Sequence, residues 1–301
     1  MLEKAFLDFG YTKDDYELIR NSYIIERYED ELLLRKMKMT TQFFLDLGYS
    51  REEIIKMTKS LPAIYGYSIE NMKQKIEDIV SLGYSREEVI KMTKSLPAIY
   101  GYSIENMKQK IEDMVSLGYS REEAIKMTKS SPTIYGFSIE NMKQKIEDMV
   151  SLGYSREEVI KMTKILPAIY SYSIENMKQK IEDMVSLGYG REEVIKMTKS
   201  LHAIYGYSIE NMKQKINFYD SIKMHELAVI DSKQLMQSVA LSYARYQFYL
   251  SRGITVDMSN YKKLFLNNKR FEKQYGIGKT ELLMLYNYEQ FMEERENDRT
   301  I

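Results

Sequence analysis

Lys73, Lys108, Lys143, Lys178 and Lys213 recur at a spacing of 35 residues, and each is followed two residues on by a second lysine. All lie in the string "ENMKQK", just after a serine that can start a helix. Early helical positions favour anions, because backbone N–H groups there are unpaired and the helix dipole is positive. A lysine ladder of this kind fits the phosphates of a polynucleotide. Five such contacts on duplex DNA would give a salt slope of about −4 to −5. The competing reading is a solvated helix face, since Glu105 stands three residues before Lys108 and Glu112 four after. A second basic set lies in "YKKLFLNNKRFEKQY" (261–275), where Lys262, Lys263, Lys269, Arg270 and Lys273 interleave with aromatic rings. That pattern suits a phosphate clamp. It equally suits an amphipathic capping helix that buries Leu264, Phe265 and Phe271, and the two roles are compatible.

Other chemistries find little support. There is no cysteine, which excludes disulfides, zinc ribbons and thiol catalysis. His202 and His225 are the only histidines and form no ligand-like pattern; His202 stands where sister repeats carry proline. "GIGKTELL" from Gly276 lacks the spacing of a phosphate-binding loop, and no buried strand precedes it. No nucleophile–base set recurs. The sequence therefore predicts no catalytic residue, no metal, no cofactor and no small-molecule substrate. Tyr65, Tyr67, Tyr84 and their equivalents could stack on bases, but packing between repeats with the hydroxyl at the rim is the preferred reading. Phe137 replaces one of them, so at that position the ring matters more than the hydroxyl.

These side chains need a scaffold, and the repeat supplies it. Glycines 48, 83, 118, 153 and 188 open five units of 35 residues. An imperfect unit precedes them from Gly10, and another follows from Lys223. In "GYSREEVIKMTKSLP", Ser85 and Glu88 form a capping box, and Val89, Ile90, Thr93 and Leu96 mark an apolar side. Pro97 disfavours helical geometry at Leu96 and stops this first helix after about 10 residues. "PAIY" predicts a short 3₁₀ turn. Ser103 then caps a second helix of about 14 residues, with Ile104, Met107, Ile111 and Met114 as its stripe and Gly118 as its stop. One such pair cannot bury its stripe alone, so neighbours must stack. The expected fold is all-α: an α-solenoid of 35-residue two-helix repeats with a short 3₁₀ turn, a curved superhelix with degenerate capping units. Its expected parts are a divergent N-terminal capping repeat (1–47), five near-identical repeats (48–222), and a final repeat with a helical cap and acidic tail (223–301).

The capped helix, then "LPAIYGYSIENMKQKI", then a second helix ending "LGYS", resembles the repeat of the mitochondrial transcription termination factor (mTERF) family. "LSYARYQFYLSRGI" (241–254) is similar to that family's last unit, and the resemblance runs from about residue 10 to residue 275. It implies a left-handed solenoid holding nucleic acid, DNA or RNA, along its concave face, in transcription or RNA metabolism. Carried over by position, the family's second-helix lysines match Lys75, Lys110, Lys145, Lys180 and Lys215, and its terminal arginine matches Arg245.

Differences between the units fall mainly in the turn: Ser130 against Ile165, Leu96 against Ser131, Pro167 against His202, Ala98 against Thr133, and Gly136 against Ser171. They read as drift after recent duplication rather than as a base code. Net charge is zero overall, yet residues 223–280 carry 10 basic and 4 acidic side chains while residues 1–47 carry 7 and 10. No run approaches the length of a membrane span. The opening "MLEKAFLDFGYTKDDYELIR" has neither a secretory nor an organellar pattern, so a cytoplasmic place is expected. Nucleic acid is the expected partner. The alternative is a protein docked on the repeated polar face, which the neutral, Glu/Lys-paired surface also suits.

Overall fold

The computed structural model describes residues 1–289, and every regular element among them is helical. The chain divides into two compact units, Met1–Lys145 and Ile146–Ile301. The first unit opens with the helix Leu2–Phe9 and a divergent repeat made of Lys13–Arg20, Ile25–Arg27 and Asp30–Asp46. Two full repeats follow, Arg51–Ser60, Pro62–Gly66 and Ile69–Ser81, then Arg86–Ser95, Pro97–Gly101 and Ile104–Leu117. A third repeat begins with Arg121–Ser130 and Pro132–Gly136, and the division falls inside its second helix, Ile139–Ser151. The second unit holds two more repeats, Arg156–Ile165 to Ile174–Ser186 and Arg191–Ser200 to Ile209–Ser221. It ends with a shortened repeat, Leu227–Ile230, Ser232–Met236 and Val239–Leu250, followed by Tyr261–Phe265, Asn268–Tyr275 and Lys279–Leu285.

The local chemistry read from the sequence sets these boundaries. Glu88 N–H donates to Ser85 Oγ (3.2 Å) while Ser85 N–H donates back to the Glu88 carboxylate (2.8 Å). Gly190 keeps only the second half of this box, its N–H donating to Glu193 at 2.8 Å. Leu96 is extended (φ −137°) before Pro97, which ends the first helix. Ser103 Oγ accepts from Asn106 N–H at 3.0 Å and starts the second. Gly118 closes it at φ +110°. Lys223 stands in that glycine position and adopts φ +56°, a backbone region that is costly for a side-chain-bearing residue.

Stacked repeats are joined by polar cores as well as apolar ones. Tyr84 is buried, and its hydroxyl meets Thr128 Oγ1 of the next repeat at 2.6 Å and also the Tyr135 hydroxyl. Tyr11 does the same with Thr58 and Tyr65, both at 2.8 Å, and Tyr154 with Thr198 at 2.5 Å and with Tyr205. The expectation of packing tyrosines holds here, but these hydroxyls are buried rather than at the rim. Burial pushes the Tyr84 and Tyr154 phenols above their ordinary value, so they stay protonated. The capping-box glutamates have a second task. Lys94 reaches Glu53 at 2.7 Å, Lys129 reaches Glu88 at 3.0 Å, and Lys199 reaches Glu158 at 2.7 Å, each across a repeat junction.

Candidate nucleic-acid interface

The second helix of each repeat presents the lysines of "ENMKQK". At about 100° per residue, two positions along the helix is a turn of about 200°. The two lysines therefore point to different places. Within each unit, the second lysine of the pair turns toward the next repeat. Lys75 Nζ donates to the Tyr102 carbonyl at 2.5 Å, and Lys180 Nζ to the Tyr207 carbonyl at 2.7 Å. Lys110 donates to the Phe137 carbonyl and Lys215 to the Leu235 carbonyl. Lys145 is engaged as well. Burial lowers the affinity of the Lys110, Lys180 and Lys215 amines for protons; at Lys110, Asp113 and Glu140 oppose that shift.

Arg245 belongs to the same series. It lies seven residues after the capping Ser238, as Lys215 lies seven after Ser208. Its guanidinium donates to the Leu264 carbonyl at 3.0 Å and to Asn268 Oδ1 at 2.9 Å, and it stands 4.8 Å over the Phe271 ring. At 3% exposure it is a strut inside the C-terminal cap. The six positions that the family resemblance marks are thus the ones that the protein itself engages.

The first lysine of each pair behaves differently. Lys73, Lys108, Lys143, Lys178 and Lys213 are exposed, and none makes a hydrogen bond or ion pair among the described residues. The acidic neighbour four residues after is drawn elsewhere: Arg86 binds Glu77, Arg121 binds Glu112, and Arg191 binds Glu182. The acidic residue three before, such as Glu105, stays exposed beside its lysine. Two sets of cations escaped the sequence reading. Lys38, 35 residues before Lys73, extends the outer row by one rung and is exposed. Its divergent surroundings hid it, although the spacing alone could have found it. Lys56, Lys91, Lys126, Lys161 and Lys196 on the first helices are also exposed and free of such contacts among the described residues.

In the C-terminal cap, Lys262, Lys269, Arg270 and Lys273 are exposed, whereas Lys263 is half-buried with its ammonium 6.0 Å from the Tyr249 ring. Leu264 and Phe271 are buried beneath them, so the segment has an apolar inside and a basic outside. It forms two short elements rather than one helix. The histidines serve packing. The His225 ring stacks on Tyr189 with centroids 4.2 Å apart, and its Nδ1 lies 2.5 Å from Asp220. His202 is half-buried, and burial with the nearby Lys161 charge lowers its proton affinity. Among the described residues no cluster of three or more His, Cys, Asp or Glu could hold a metal ion. No described helix is long and apolar enough to cross a membrane.

The repeat with its lysine-bearing second helix is matched by the mTERF family model over residues 24–81 and 113–272. The chain belongs to the mTERF family. Members of the mTERF family are generally non-enzymatic helical-repeat proteins, and membership suggests nucleic-acid binding. No curated protein matches the chain.

Proposed function

We propose that this mTERF protein binds nucleic acid through phosphate contacts from the outer lysines Lys73, Lys108, Lys143, Lys178 and Lys213, and thereby regulates transcription or RNA metabolism. The observation that carries the reading is the split within "ENMKQK". The inner cation is used up inside the protein, and the outer one repeats in register, exposed and without a partner among the described residues. Lys38 adds a rung at one end, and the exposed Lys262, Lys269, Arg270 and Lys273 add phosphate contacts within the C-terminal cap. Contacts of this type carry little base information, so weak sequence preference is expected.

A protein-docking surface is the second reading, favoured by the exposed glutamates that accompany the outer lysines, Glu105 among them. Salt-titrated binding to duplex DNA, single-stranded DNA and RNA separates the two. Micromolar or tighter binding that weakens steeply with salt supports nucleic acid. Absence of binding to all three at low salt would leave the protein-docking reading.

A further inference from the structure

The first junction of the array lacks its strut. Thr40 lies 35 residues before Lys75 and so occupies the inner position of the divergent N-terminal repeat. Its side chain is buried at 2% exposure and is too short to cross to the next repeat. A recess of about 230 Å³ lies there, between the helix Asp30–Asp46 and the start of Ile69–Ser81. Thr40 and Tyr67 line it, and the Tyr67 carbonyl is the counterpart of the Tyr102 carbonyl that accepts from Lys75. No described side chain donates to the Tyr67 carbonyl. Glu70 also lines the recess; its counterpart two repeats on, Glu140, acts electrostatically on Lys110. Leu32, Met39 and Ile69 supply apolar wall. Elsewhere in the array, a butylammonium arm from the protein's own lysine reaches this kind of carbonyl.

We propose that the recess binds a primary alkylammonium group supplied from outside. The Tyr67 carbonyl and Glu70 carboxylate would hold the head, and Leu32, Met39 and Ile69 the methylene stem. Two cations at the site set the strength. Lys36 lies 5.2 Å over the Tyr28 ring, and Arg35 is exposed at the mouth. Their charge opposes a second cation, so affinity on the order of millimolar is expected for a ligand of so few atoms. A free aliphatic polyamine and a lysine of another protein share this chemistry.

Thermal melts of the full chain in n-butylammonium, against tetramethylammonium at equal ionic strength, test the site. The melting temperature should rise saturably with the first salt and not with the second. Spermidine and Nα-acetyl-lysine methylamide, run side by side, separate the free amine from the protein side chain. Thr40→Lys should place an internal ammonium on the Tyr67 carbonyl, raise the starting melting temperature and weaken n-butylammonium binding at least tenfold. If Thr40→Lys does not fold, Glu70→Gln serves instead and should weaken binding severalfold. No saturable rise, or an equal rise in the variants, would overturn the proposal. A saturable rise with phosphate or acetate instead would assign Arg35 and Lys36 to an anion and overturn it too.

Discussion

Lys108 and Lys110 share one chemistry and one helix, yet Lys108 ends in solvent and Lys110 ends on the Phe137 carbonyl. The difference is angular. Residues 107, 111 and 114 face the core, and position 110 falls on the side that turns to the next repeat. Position 108 is turned about 200° from it. Identity of residue type and conservation of spacing therefore say nothing about which lysine is available to a ligand. Only the neighbouring repeat decides that.

The comparison breaks most visibly if the inner row is dispensable. Replacing Lys110 by methionine keeps its stem but leaves the Phe137 carbonyl without its ammonium donor. Losing a hydrogen bond from a charged donor at this half-buried junction should cost about 1–3 kcal/mol, read as a lower denaturation midpoint. A smaller loss is expected at Gly101, where an added Cβ would stand 2.9 Å from the tip of the half-buried Tyr67 side chain, which can swing aside. Gly101→Ala should cost about 1 kcal/mol at most, and adding Tyr67→Phe should recover it in a double-mutant cycle.

Alkaline pH probes the hydroxyl junctions. The Tyr11, Tyr84 and Tyr154 phenols have folded proton affinities raised above the ordinary phenol value, chiefly by burial. Their contribution is complete below pH 10 and is lost as the pH rises through the folded values. The inner lysines Lys110, Lys180 and Lys215 act in the opposite sense: lowered from 10.5, they cost stability when protonated, and that cost fades as pH approaches 10.5. Burial also raises Tyr49, Tyr65, Tyr100, Tyr135 and Tyr205, so the tyrosines outnumber the lysines and a net fall in melting temperature above about pH 10 is expected. A melting temperature that rises steadily through pH 11 would contradict the hydroxyl network. The smallest effect belongs to the outer row: Lys108→Gln should change stability by no more than about 0.5 kcal/mol.

Much of the scaffold was legible in the sequence because its signals are local. Ser85 with Glu88, Leu96 before Pro97, and Ser103 after the turn each fix a boundary within four residues, and the structure places the helix ends there. The fate of each lysine was not legible, because Lys110 meets a carbonyl 27 residues away. The tyrosine hydroxyls were hidden for the same reason, Tyr84 and Thr128 being 44 residues apart. Part of the variation in the turn gains a physical reading as well. Tyr67 and Gly101, Tyr102 and Gly136, and Tyr172 and Gly206 are hydroxyl–glycine approaches at an offset of 34 residues. The same offset in the sequence pairs Phe137 with Ser171, the one case where the hydroxyl is missing and the glycine has been replaced.

The most direct test of the account is the salt dependence of nucleic-acid binding after all five outer lysines, Lys73, Lys108, Lys143, Lys178 and Lys213, become glutamine. The slope on duplex DNA should flatten by about 4 to 5, with the melting temperature almost unchanged. An unchanged slope would move binding to other cations and contradict the division of labour between the two rows.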